Sequence, residues 1–189
     1  SDCLVGSEMC IRDSSYRGPD ASLKTIDSID KSLILNFWDT QDKSSEEELS
    51  FLNRNSLNFK KEKIQVVSLS LDSLENAGQA YEVIDKMKYK NEWGFLNDES
   101  KKQIQNWINK LFDRHESFHV PLSLFIDSNG CCLAIFKRSM ENISLSELVK
   151  FNNLSKLDQW HYAPPLKGSW FTFPPSERFV RSFVQDRQK

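Results

Sequence analysis

Three stretches of the sequence carry side chains of the types that perform chemistry. His115-Glu116-Ser117-Phe118-His119 matches the H-E-x-x-H pattern. On a helix this pattern sets two imidazoles one turn apart as zinc ligands, with the glutamate as the general base of a hydrolase. Cys131 and Cys132 are adjacent thiols. The third stretch, Asp39-Thr40-Gln41-Asp42-Lys43-Ser44-Ser45, follows an apolar run and precedes a helical pattern. Free backbone N–H groups at such a strand-to-helix junction stabilise anions and nucleophiles.

Each stretch also has a plainer reading. Pro121 disfavours helical geometry at Val120, so His119 stands just before a strand, and the paired imidazoles lose the shared helix face that zinc needs. No metal and no other cofactor is expected. Cys131 and Cys132 follow a hairpin turn, five or six residues or about 17–20 Å from the helix terminus, too far to complete a site there. Successive strand residues point to opposite faces, so one is expected to be buried and the other covered by a helix, and a free buried cysteine behaves as a small apolar residue. Ser45 has no histidine placed near it by the sequence and reads as a helix cap rather than a nucleophile.

The elements that must position these residues are legible from periodicity. Leu33-Ile34-Leu35-Asn36-Phe37-Trp38 is a short, nearly all-apolar run without helical spacing, as expected of a central strand covered on both faces. Ser44 with Glu47, or Ser45 with Glu48, can form a capping box ahead of Leu49 and Leu52. Lys60 to Lys63 reads as a solvated helix end, and Ile64 to Leu71 as a second strand, completing the strand-helix-strand unit of a parallel sheet.

Further along, Ala80, Val83, Ile84 and Met87, and then Ile104, Trp107, Ile108 and Leu111, fall at i, i+3, i+4 and i+7, so two amphipathic helices are expected, the second capped by Asn97 or Asp98. Between them, 91–95 reads as a loop or short extended piece with Trp93 and Phe95 in the core. Val120 to Asp127, the turn Ser128-Asn129-Gly130 and Cys131 to Phe136 form a β-hairpin, and Ser144 with Glu147 caps a closing helix. The segment 15–30, with Leu23, Ile26 and Ile29, is a lead-in expected to pack beside the first strand. The aromatic, proline-rich stretch from Gln159 to Pro175 is expected to lie along apolar surface, with Ser176 capping a last helix.

The chain has 189 residues with 25 basic and 27 acidic side chains, a length suited to one domain with a sizeable core. Residues 4–14 resemble a translated sequencing-library adapter, and residues 1–14 are set aside on that ground. Without Asp2, Glu8, Asp13 and Arg12 the charge is balanced, so charge points to neither nucleic acid nor an anionic membrane. Of the 4 cysteines only Cys131 and Cys132 then remain, too few for a disulfide framework.

Leu33 to Thr40 resembles the Val-Asn-Phe-Trp-Ala-Thr run of TlpA/ResA-like proteins, members of the AhpC/TSA-redoxin group with the thioredoxin-like fold. Val120-Pro121-Leu122-Ser123-Leu124-Phe125-Ile126-Asp127 resembles the segment of those folds that carries a cis proline facing the active-site turn. The resemblance implies an α/β domain over 15–157, a mixed central sheet flanked by helices, and an aromatic C-terminal extension over 158–189 that packs on it or leads onward. In the family, Trp-Cys-x-x-Cys follows the strand. Here Asp42 and Ser45 stand in the places of the two cysteines.

A redox cysteine at that helix terminus works as a depressed-pKa thiolate. Aspartate keeps the negative charge but has no sulfur to exchange. The resemblance therefore implies a redox-degenerate domain that leans away from catalysis, a binding or structural module. Its surface would comprise Trp38, Asp39, Gln41, Asp42, Ser45, Val120 and Pro121, with a protein or extended peptide as possible partner. The enzymatic rival is a thiol-disulfide oxidoreductase or peroxidase, with a zinc hydrolase through His115, Glu116 and His119 more distant. Leu111 to His115, Val120 to Asp127, Leu133 to Lys137 and Gly168 to Thr172 followed by Pro174-Pro175 carry a second likeness, over most of 31–175, to the redoxin domain of bacterial ASPIC/UnbV or FG-GAP repeat proteins. It implies a piece of a longer periplasmic or secreted protein.

Overall fold

The structure, a computed structural model, describes residues 15–26, 31–112, 119–128, 132–137, 139–142, 145–154 and 169–171. Strands are β1 (Ser15–Arg17), β2 (Leu23–Thr25), β3 (Ser32–Trp38), β4 (Ile64–Ser70), β5 (Glu92–Leu96), β6 (Leu122–Ile126), β7 (Cys132–Phe136) and β8 (Ser169–Phe171). Helices are α1 (Lys43–Arg54), α2 (Ser56–Lys61), α3 (Ala77–Met87), α4 (Asp98–Phe112) and α5 (Leu145–Asn152). The strands form one sheet in the order β2-β1-β5-β4-β3-β6-β7-β8. β3, β4 and β5 run parallel, and the remaining pairs are antiparallel. This is the expected mixed sheet.

All seven residues of β3 are buried, as its apolar run predicts for a strand with a layer on each side. Leu33, Leu35 and Phe37 pack with Leu124, Ile126 and Ile104 of α4, on one face. Ile34 packs on the other with Leu52 of α1, Phe59 of α2 and Leu148 of α5. Trp38 joins Leu49, Ala80 and Ile84, from α1 and α3. The alternation places Asn36 on the α1 side, opposite Ser68 of β4 and Ser123 of β6, so a row of polar side chains crosses three buried strands.

One expectation is corrected. The lead-in segment does not lie beside β3. It forms the β1–β2 hairpin at the far edge, where Tyr16 and Arg17 pair with Leu96 and Phe95. Of the two readings of 91–95, the short extended piece holds: β5 is hydrogen-bonded on both sides. Gly94 makes that approach possible: a Cβ there would collide with the Arg17 carbonyl and the Tyr16 ring, so only glycine lets β1 close on this strand. Asn97 caps α4 as read from the sequence, its Oδ1 accepting from the Ser100 N–H at 2.7 Å.

The tip of the β6–β7 hairpin at Asn129 and Gly130, Ser144, the helix after Ser176 and most of the aromatic tail lie outside the described residues, as do 1–14. Among the described residues no helix is long and apolar enough to cross a membrane.

Candidate functional site

The strand-to-helix turn at the end of β3 is built by its own carboxylates. α1 begins at Lys43 with Asp42 as N-cap, in extended conformation (φ −102°, ψ 113°). The Asp42 carboxylate accepts from the Ser44 N–H at 2.9 Å and from the Ser44 hydroxyl. Asp39 Oδ1 accepts from the N–H groups of Gln41 (3.0 Å) and Asp42 (2.8 Å). Asp72, in the loop after β4, accepts from the N–H and hydroxyl of Thr40 and from the Ser70 hydroxyl. The Asp39 N–H donates to Ser45 Oγ, and the Ser45 N–H to the Asp42 carbonyl.

From Asp39 to Ser45, every backbone N–H but that of Lys43 therefore has an internal acceptor. The capping boxes expected at Ser44–Glu47 and Ser45–Glu48 do not form, because the helix, with Asp42 as its N-cap, starts two positions earlier than the first of them requires. The anion-binding character expected of this junction is likewise corrected. Apart from the Lys43 N–H, its donors are engaged within the turn, chiefly by three aspartates, which also place negative charge where an incoming thiolate or oxyanion would sit.

Ser45 and Glu48, the pair expected to cap α1, instead point inward. Glu48 is fully buried, accepting from the Ser123 hydroxyl at 3.0 Å and from the Met140 N–H at 2.7 Å. Asn36 Nδ2 donates in turn to Ser123 Oγ at 3.0 Å. Burial is the main influence on the Glu48 carboxyl and pushes it above its ordinary value, against the hydrogen bonds from Met140, Ser139 and Ser123. Tyr89, whose hydroxyl lies 2.6 Å from Ser68 Oγ, is pushed up to about 12, again chiefly by burial. The sequence did signal Glu48: Ser45, Glu48, Leu49 and Leu52 share the i, i+3, i+4, i+7 face that packs inward. Asp72 had no such signal, being a loop acid 32 residues from Thr40, its partner.

Of the residues expected to form the surface, Asp39, Gln41, Asp42 and Val120 are accessible, and Trp38, Ser45 and Pro121 are buried. Trp38 was expected to border the turn; its side chain is instead enclosed by core, and among the described residues its Nε1 has no hydrogen-bond partner. The Val120–Pro121 peptide is cis. Val120 is half-buried, and among the described residues its N–H and C=O meet no backbone partner. Gln79 of α3 joins the turn from the other side through Thr40 and Gln41. Next to it, sharing Asp72, is a cleft of about 500 Å3 lined by Arg17, Leu71, Leu74, Asn97 and Lys101; Leu74 is 55% exposed.

Cys132 is the one cysteine among the described residues. It pairs with Ile126, five residues along from Pro121, which places it about 17 Å away at ~3.3 Å per residue. Burial pushes its thiol up to about 12, the opposite of an activated cysteine. His115 and Glu116 lie outside the described residues; His119 is exposed, and no group of three metal-ligating side chains occurs among the described residues.

A mixed sheet with helices on both faces, a strand-to-helix turn at its centre and a cis proline opening the next strand define the thioredoxin-like fold. Solved structures agree. The chain is similar to a thiol:disulfide interchange protein of the thioredoxin family from Chlorobium tepidum TLS, with 12% identity, a TM-score of 0.61, and 78% of this chain and 99% of that one covered. It is similar to the thioredoxin domain of a thiol-disulfide oxidoreductase from Bacteroides vulgatus at 15% identity and TM-score 0.59, covering 77% and 100%. A third likeness is to a putative thiol:disulfide interchange protein DsbE from Chlorobium tepidum, at 19% identity and TM-score 0.55, covering 68% and 83%. No family model matches the sequence, and no curated protein matches it.

Proposed function

We propose that this chain is a redox-degenerate thioredoxin-like domain that binds an extended segment of a partner protein. The carrying observation is the turn at Asp39 to Ser45, where the donors that would hold a thiolate are taken up by Asp39, Asp42 and Asp72 and no sulfur is present. Two features support the binding role. Among the described residues Val120 offers an unpaired main-chain donor and acceptor for strand-like pairing, and the neighbouring cleft presents Leu74 to an apolar side chain.

The solved structures named above are described as thiol:disulfide interchange proteins or a thiol-disulfide oxidoreductase, and that favours a second reading in which this chain retains such an activity. It also supports the proposal of a periplasmic or secreted location. The further proposals, that the domain is carried by an ASPIC/UnbV or FG-GAP repeat protein and that residues 4–14 are adapter-derived, rest on sequence resemblance alone.

Insulin reduction and peroxide consumption separate the two readings. The binding module gives no turnover in either assay. Turnover abolished by Cys131→Ser or Cys132→Ser overturns it in favour of the oxidoreductase. Peptides selected from a displayed library should bind the wild type, and Val120→Asp or Asp42→Ala should weaken them while Cys132→Ser leaves them unchanged. Selected peptides indifferent to Val120→Asp and Asp42→Ala would remove the proposed surface.

A further inference from the structure

At the end of the sheet opposite the turn, where the chain leads into β3, β4 and β5, a cleft of about 370 Å3 is lined by Lys31, Lys60, Lys63 and Lys90. All four lysines are exposed, and among the described residues none has an ion-pair partner. The carboxylate on the cleft wall, Glu92, is already engaged: it accepts from Tyr16 at 2.6 Å and from Gln65 at 3.1 Å, and pairs with Lys24 at 3.4 Å. Among the described lining residues, four ammonium groups thus share the cleft with one carboxylate, which is already engaged.

Helix dipoles explain only part of this. Cations are favoured at helix C-termini, which accounts for Lys60 in the last turn of α2 and Lys63 just beyond it. Lys31 precedes a strand and Lys90 leads into one, so no dipole places them. Lys63 also has φ 56°, a left-handed conformation that glycine adopts most cheaply. The chain as a whole has slightly more acidic than basic side chains, 27 against 25, yet concentrates cations here.

We propose that this cleft binds a small, multivalent phosphate-bearing anion. Lysine acts as a point-charge phosphate binder, and several cations sharing one pocket favour a ligand with several negative charges. The cleft's volume is that of a small-ligand site, suited to an oligophosphate or a phosphate headgroup rather than to a long polyanion. The site uses none of the residues of the peptide-binding surface, so either can fail alone.

Sodium tripolyphosphate is the probe, titrated calorimetrically into the full chain in about 150 mM NaCl with the melting temperature followed in parallel. Binding tighter than about 1 mM, a rise in Tm and weakening at higher salt are expected. Lys60→Gln with Lys63→Gln should weaken binding about tenfold or more, while Lys102→Gln with Lys150→Gln, elsewhere on the surface, should not. No heat and no Tm shift, or equal binding by the Lys60/Lys63 variant, overturns the proposal. Vesicles containing phosphatidylglycerol distinguish the sources. Sedimentation competed by tripolyphosphate identifies a headgroup in the same cleft, and sedimentation without any tripolyphosphate binding overturns the site in favour of adsorption to a charged surface.

Discussion

The two ends of β3 handle charge in opposite ways. At the C-terminal end, Asp39, Asp42 and Asp72 are folded into the turn, each carboxylate matched to backbone donors. At the N-terminal end, four lysines surround a cleft and are matched to nothing among the described residues. Charge whose partners lie inside the domain holds the domain together. Charge without such partners contributes little to the fold and is free for a ligand.

The contrast is broken or sharpened by substitution. Glu48→Ala, just beneath the turn, leaves the Ser123 hydroxyl and the Met140 N–H without their acceptor in a fully buried site. A loss of about 3 kcal/mol, or roughly 10 °C in Tm, is expected by thermal denaturation. Asp72→Ala removes the acceptor of Thr40 and Ser70 and should destabilise by about 2 kcal/mol in urea unfolding. Asp42→Ala, which loses the N-cap, should do so by about 1 kcal/mol. At the other end, Lys60→Gln with Lys63→Gln should change stability by less than about 0.5 kcal/mol. Equal losses at both ends would erase the distinction.

A pH series tests the same division. The folded-state pKa of Glu48 is raised, so the native protein holds that proton more tightly than the unfolded chain does. The contribution is present below the ordinary value of 4.5 and is lost as pH rises through the folded pKa, at no more than about 1.4 kcal/mol per pH unit. Glu48→Gln should flatten this decline in urea unfolding measured from acid to neutral pH. A decline unchanged in the variant assigns the pH dependence to another group.

Much of this architecture was legible in the sequence because it rests on apolar periodicity. The fully buried β3, the helix carrying Ala80 and Ile84 and the β6–β7 hairpin all follow from patterns within one segment. What was not legible depends on pairing across distance. β1 and β2 are three residues each with mixed burial, and nothing local distinguishes them from a turn until Gly94 admits them to the sheet. At the turn, the serine–glutamate spacing matched a capping box, but Ser45 and Glu48 lie on the inward face of α1 and found partners there, leaving the cap to Asp42. Which carboxylates would consume the free N–H groups could not be read, because Asp72 arrives from another strand.

The row formed by Ser123, Asn36 and Ser68 also fixes alignment. A one-residue slip of a strand exposes its apolar set and is excluded by solvation alone. A two-residue slip keeps every face correct, so apolar patterning cannot prevent it. Such a slip of β6 against β3 would set Asn36 opposite Phe125 or Pro121 in place of Ser123, stranding an amide among carbon atoms. The polar crossing thus acts as the detent that selects one alignment from the set that hydrophobicity alone would allow.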